Sequence, residues 1–194
     1  MCKILAISNR SLTEDYFSQI EKIASLNIPI VLREKDLSKE EYTFLAKKVL
    51  KITDNVILHT YIETAIELNH RKIHLPMHLL SICDMSKFDM VGVSVHSLDE
   101  AIKAQSMGAA YITAGHIFAT DCKKDLKPRG IDFLREICNT VNIPVFAIGG
   151  ITPQNAPLIF NSGASGICLM SSIMKAENLE GLIEEFRKET YKWR

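Results

Sequence analysis

Apolar and polar positions along this chain fall in blocks. Short apolar runs rich in β-branched residues are separated by longer stretches with helical spacing. The first run covers residues 3–8. Thr13 then leads a helical stretch to Leu26, with Phe17, Ile20, Ile23 and Ala24 on one stripe and a partial cap signal in Thr13 and Tyr16. Residues 28–32 form the second run and end in Arg33-Glu34-Lys35-Asp36. Ser38 opens the next helix, with Glu41 at capping-box spacing and Tyr42, Leu45, Val49 and Ile52 on its apolar face. Residues 56–58 are a third strand, ending at His59-Thr60, and a short helix follows over 62–68. A brief fourth strand over 72–75 stops at Pro76, and residues 77–84 support no more than a turn of helix.

The fifth strand covers 90–95. Ser97 and Glu100 form a second capping-box pattern, and that helix runs to Met107, where Gly108 closes it. Residues 110–114 are apolar, β-branched and aromatic, the pattern of a strand buried on both faces. They break at Gly115-His116 into a polar segment holding Asp121, Cys122, Lys123 and Lys124. A helix over 131–141 and a strand over 144–148, ending in Gly149-Gly150, come next. Thr152 as cap and Pro153 as first residue predict a helix to Asn161. The eighth strand covers 166–170 and ends in Ser171-Ser172. A last amphipathic helix covers 179–191, with Leu182, Ile183 and Phe186 facing inward.

Strands and helices that alternate with short connections imply parallel strands and right-handed crossovers. Eight such units imply a closed (β/α)8 TIM barrel, a single α/β domain over 1–194, rather than an open doubly wound sheet. The length, 194 residues, suits one domain with a sizeable core. Lysine plus arginine and aspartate plus glutamate balance at 23 each, so bulk charge gives no case for nucleic acid or an anionic membrane as partner. Any anion site must be local. The apolar runs are too short to span a bilayer, and the N-terminus lacks the shape of a signal peptide. The five cysteines, at 2, 83, 122, 138 and 168, form no CxxC pair and fit reduced thiols in a cytoplasmic protein.

In such a barrel the active site lies at the C-terminal ends of the strands. The residues there are Asn9-Arg10, Arg33-Glu34-Lys35, His59-Thr60, His74, Ser94-His96, Gly115-His116, Gly149-Gly150 and Ser171-Ser172. Barrels commonly bind phosphate between the loops after strands seven and eight. Gly149 and Gly150 would let backbone N–H groups approach phosphate oxygens, and Ser171 and Ser172 would add hydroxyl and amide donors. A bulky residue at Gly150 is then expected to abolish phosphate binding with the fold intact. The alternative for Gly149-Gly150 is a tight turn. His116 is expected to hold its ring over the barrel mouth.

Several segments, in order, resemble one superfamily over nearly the full chain: thiamin phosphate synthase and its relative, the thiazole tautomerase (TenI) family. They are Leu32-Arg33-Glu34-Lys35-Asp36-Leu37-Ser38, Val93-Ser94-Val95-His96-Ser97-Leu98-Asp99-Glu100-Ala101, Gly115-His116-Ile117-Phe118 with Thr120-Asp121-Cys122-Lys123-Lys124, Pro128-Arg129-Gly130, Ile143 to Pro153, and Gly163 to Ser171. The synthase branch implies Mg²⁺, held by carboxylates after strands three and four. This chain has His59-Thr60 and His74-Leu75-Pro76-Met77-His78-Leu79 there. Gly-His-Ile-Phe followed by Thr-Asp-Cys-Lys-Lys is closer to the tautomerase branch, whose proton-transferring histidine maps onto His116.

The resemblance therefore implies a thiazole tautomerase, an isomerase of thiamin biosynthesis. Its substrate would be a non-aromatic carboxythiazole phosphate, made aromatic by a proton shift, with no metal and no cofactor. Histidine suits that step, since its unperturbed pKa of about 6.5 keeps both forms accessible. Gly149, Gly150, Ser171 and Ser172 would hold the phosphate, and Arg33, Lys35 or Lys124 the carboxylate. Cys122 is a second proton carrier or a bystander. The only implied partner is the small thiazole phosphate, with a homodimer left open. The alternatives are a thiamin phosphate synthase, which is a transferase, and a non-catalytic thiazole-phosphate binder.

Overall fold

A computed structural model describes residues 3–124 and 126–191, so Cys2 lies outside the described residues. The eight strands are β1 Lys3–Ile7, β2 Ile30–Leu32, β3 Val56–His59, β4 Lys72–Pro76, β5 Met90–Val95, β6 Tyr111–Gly115, β7 Val145–Ile148 and β8 Gly166–Leu169. They pair in sequence order, every pair parallel, and β8 returns to β1 to close the barrel. The helices are α1 Tyr16–Ser25, α2 Lys39–Val49, α3 Ile62–Glu67, α4 Met77–Leu80, α5 Leu98–Ser106, α6 Gly130–Thr140, α7 Ala156–Asn161, α8 Ser171–Met174 and α9 Leu179–Tyr191.

The local causes are visible at the helix starts. In α2 the Ser38 hydroxyl accepts the Glu41 N–H while the Glu41 carboxylate accepts the Ser38 N–H, so two orphan donors are satisfied at once. In α5 the Ser97 hydroxyl caps the Glu100 N–H, whereas the Glu100 carboxylate accepts from the His96 N–H. Two expected starts are displaced. α1 begins at Tyr16, capped by Asp15, because Thr13 ends a 3₁₀ turn. α7 begins at Ala156, not after Thr152. The Asn155 side chain accepts the Thr152 N–H and donates to the Gly150 carbonyl, so the cap-like residues shape a turn. The second strand is also shorter than its apolar run, since the Ile28 N–H still bonds the end of α1 and Pro29 has none to give.

Two apolar layers result. The larger lies between sheet and helices, and holds Ile20, Ile23, Tyr42, Leu58, Leu75, Leu134, Ile159 and Phe186 among others. The smaller fills the barrel interior with Leu5, Ile7, Val31, Ile57, Tyr111, Phe146 and Cys168. A strand alternates faces with period two. Residues two further along the inward-facing series, Arg33, His59, Thr113 and Met170, therefore stand above this plug toward the C-terminal mouth. Gly92 is required where the plug is tightest, since a Cβ there would lie 2.1 Å from the Tyr111 ring.

Candidate active site

Above the interior plug opens a cleft of about 970 Å³. Arg33, Lys35, His116, Lys124, Gly149, Gly150, Ser171 and Ser172 all line it, as do His59, His74, Ser94, His96, Thr113 and Cys122. Residues drawn from across the sequence thus converge at one end of the barrel. Lys123 and Lys127 line it too, and had not been singled out as binding residues.

The floor is a hydrogen-bonded imidazole stack. The His74 Nδ1 lies 3.0 Å from the Tyr111 hydroxyl and its Nε2 lies 2.8 Å from the Ser94 hydroxyl. The Thr113 hydroxyl donates to Ser94 at 3.2 Å. The His59 ring stacks on His74 with centroids 5.5 Å apart, and its Nδ1 meets the Thr60 hydroxyl at 2.6 Å. Burial pushes the His74 pKa down to about 3, helped by the positive charge of Arg33. Burial likewise holds His59 well below the usual histidine range, with His74, Arg33 and Lys35 acting the same way. These two histidines are therefore a neutral floor, inside the barrel rather than on its open loops.

The walls are cationic. Burial lowers the pKa of Arg33, against the opposing influence of Glu34 and Cys122. Lys35 is lowered by burial and then by Arg33 and Lys123. Among the described residues Asp121 is the one carboxylate lining the cleft, and it is exposed and pairs with Lys124 at 3.5 Å.

His116 is at the mouth but more buried than a ring held openly over it. It lines the cleft, but it is only 5% exposed, and its Nε2 lies 3.2 Å from the Leu126 carbonyl. A carbonyl only accepts, so Nε2 carries the proton. Nδ1, with no hydrogen-bond partner among the described residues, is the nitrogen left to accept. Leu126 meets the ring at Nε2, and the Arg129 N–H donates to the His116 carbonyl, contacts that no local pattern indicates.

Gly149 and Gly150 both have positive φ, 102° and 65°. A Cβ on Gly149 would lie 2.3 Å from the His116 Cβ, and one on Gly150 would lie 2.3 Å from the Ala119 carbonyl oxygen. The expectation that a bulky residue at Gly150 leaves the fold intact is therefore corrected, because the site has no room for any side chain. The turn and the anion site are not exclusive, since the turn itself leaves the two N–H groups without acceptors among the described residues. Across the cleft α8 has four residues, so its contribution to an anion is the Ser171 and Ser172 amides and hydroxyls rather than a long helix dipole. The Cys122 sulfur lies 3.4 Å from the Ser171 hydroxyl.

A hard dication such as Mg²⁺ needs oxygen ligands, chiefly carboxylates. Among the described residues the cleft offers it Asp121 alone, and no group of three His, Cys, Asp or Glu residues suited to a metal occurs among them. The described donor set does not fit Mg²⁺. Nor is any described helix long and apolar enough to cross a membrane.

Comparison with known proteins supplies the ancestry. The chain is 35% identical over 164 residues to the thiamine-phosphate synthase of Clostridium tetani, covering 80% of this chain and 78% of the relative. It is 32% identical over 193 residues to that of Pyrococcus abyssi, covering 96% and 93%. The solved structure of thiamine phosphate pyrophosphorylase from Pyrococcus furiosus superposes with a TM-score of 0.81 at 28% identity, covering 98% of this chain and 96% of that one. The family model described as Thiamine monophosphate synthase (TMP-TENI) matches residues 4–173, and the chain belongs to that family.

Proposed function

We propose that this chain is an enzyme of thiamin formation whose cleft takes a thiazole phosphate and isomerises it by a metal-independent proton shift. The family and the names of its relatives support thiamin formation. The observation that carries the isomerase reading is the donor set of the cleft, which among the described residues has several cations, four histidines and a single exposed, ion-paired carboxylate. Such a site attracts phosphate and carboxylate without a bridging metal. The proton shift needs a group that takes a proton from ring carbon and delivers one to the exocyclic carbon. His116 is the proposed carrier, through Nδ1, with Nε2 fixed by the Leu126 carbonyl. Phosphate would lie between the amides of Gly149 and Gly150 and those of Ser171 and Ser172, with the carboxylate toward Arg33, Lys35 or Lys124.

A second reading, the transferase that joins a pyrimidine diphosphate to the thiazole phosphate, has the printed names of the relatives on its side. Those names favour it over the isomerase; the cleft's donors favour the isomerase. One experiment separates them. The protein is incubated with the non-aromatic carboxythiazole phosphate in chelator, and separately with pyrimidine diphosphate, thiazole phosphate and Mg²⁺. Aromatic chromophore in the first and no thiamin phosphate in the second is the expected result. Thiamin phosphate in the second with an inert first sinks the isomerase reading, and silence in both leaves a binding protein.

A further inference from the structure

We propose that Glu34 is a positioning residue, a buried carboxylate that locks the ends of β1 and β2 together and so aims Arg33 and Lys35 into the cleft. This rests on the reading that those two cations meet the anionic part of the substrate. Strand alternation places the three residues: Arg33 and Lys35 line the cleft, whereas Glu34 turns away and is only 3% exposed.

Glu34 is held from β1 and from the turn that follows it. The hydroxyl of Ser8, itself fully buried, donates to Glu34 Oε1 at 2.6 Å. The Arg10 N–H donates to Oε2 at 3.0 Å, and the Arg10 guanidinium stands 3.6 Å from the same oxygen. Ser8 closes the circuit by accepting the Arg33 N–H at 2.9 Å, so the backbone of the binding arginine hangs on the same pair. The Tyr16 hydroxyl is buried there as well, without a hydrogen-bond partner among the described residues. The lock falls where the ladder is short. β1 and β2 register only at Ala6↔Ile30 and Ile7↔Val31, both before the mouth, while β4 and β5 register at five positions through Pro76↔Ser94. Beyond Leu32 the sheet no longer fixes where the chain points, and the side-chain circuit takes over.

Geometry and charge oppose one another here, which makes the proposal testable. Glu34 is a negative charge beside an anion site. If it were only a buried counter-charge, neutralising it would tighten anion binding. If it positions the cations, Glu34→Gln loosens binding, because the amide that replaces the carboxylate must turn its own N–H donors toward the Ser8 hydroxyl or the Arg10 N–H. Ser8→Ala breaks the same circuit with no change of charge.

The test is calorimetric titration of inorganic pyrophosphate in metal-free buffer into the full chain, its Arg33→Ala, Ser8→Ala and Glu34→Gln variants, each shown folded by circular dichroism at the working temperature. Arg33→Ala should bind at least about tenfold more weakly, and both Ser8→Ala and Glu34→Gln should lose about tenfold or more. Unchanged or tighter binding in either circuit variant, with Arg33→Ala impaired, overturns the positioning role and leaves the anion site standing. Wild-type binding by Arg33→Ala removes the anion role of that residue, and the inference with it. If Glu34→Gln does not fold, Ser8→Ala decides alone, since it preserves every charge.

Discussion

Acid should destabilise this barrel through its neutral imidazole floor. His74 bonds Tyr111 and Ser94 inside the barrel, and its pKa is pushed down to about 3. The unfolded chain presents an ordinary histidine near pKa 6.5. A depressed histidine pKa means that the fold prefers the neutral ring, so this share of stability is fully present above about pH 6.5. As pH falls the unfolded state takes up the proton first, and stability drains away until the folded pKa is reached. Between pH 7 and pH 5 the loss from His74 alone is about 2 kcal/mol, and by pH 3 it is about 4 kcal/mol. His59 has the same sign and adds to it. His74→Gln, which cannot titrate, should cost about 1–3 kcal/mol at pH 7, since one ring nitrogen's partner is left unpaired. Yet its stability should fall less on acidification, so the gap between the two proteins narrows by about 2 kcal/mol by pH 5. Urea melts at pH 7, 6 and 5 read this directly. Curves that stay parallel over that range would refute a neutral, buried His74.

Two further outcomes follow from the site. His116→Asn should keep thiazole phosphate affinity and lower the catalysed rate by about 10²–10⁴-fold; steady-state kinetics on folded protein would show it, and unchanged turnover moves the proton to His96 or His59. Gly150→Val should lower the thermal midpoint as well as phosphate affinity, because its Cβ meets the Ala119 carbonyl oxygen and its φ is positive; a midpoint equal to wild type in differential scanning calorimetry contradicts that packing.

The barrel was legible in the sequence because periodicity and caps reinforce each other. The fifth strand, Met90–Val95, has the bounds its apolar run implies, and Ser38 with Glu41 forms the box that their spacing predicts. Cap residues misled where side chains had other partners. Thr152 and Pro153 read as a helix start, but Asn155 ties Thr152 and Gly150 into a turn, and α7 waits until Ala156. Within the site, residues at strand ends were found by position alone, and all eight proposed site residues line one cleft. Glu34 stands in that strand-end series without a role of its own, and Tyr111 lies outside it. Glu34 reads as one more polar loop residue between two cations, and only the partnership with Ser8, 26 positions away, reveals its burial. Tyr111 reads as generic strand filler, although Gly92 across the ladder gives its ring room.

The contact on His116 is made by main chain. Any residue at position 126 presents the same carbonyl, so the imidazole's tautomer is indifferent to the identity of that side chain, which is itself 59% exposed. What it does register is loop length. One residue added or removed between Ala119 and Leu126 changes the chain's reach to the acceptor by up to about 3.5 Å, more than a hydrogen bond can follow. Point substitution at position 126 should thus be silent at the histidine, while the shortest insertion is not.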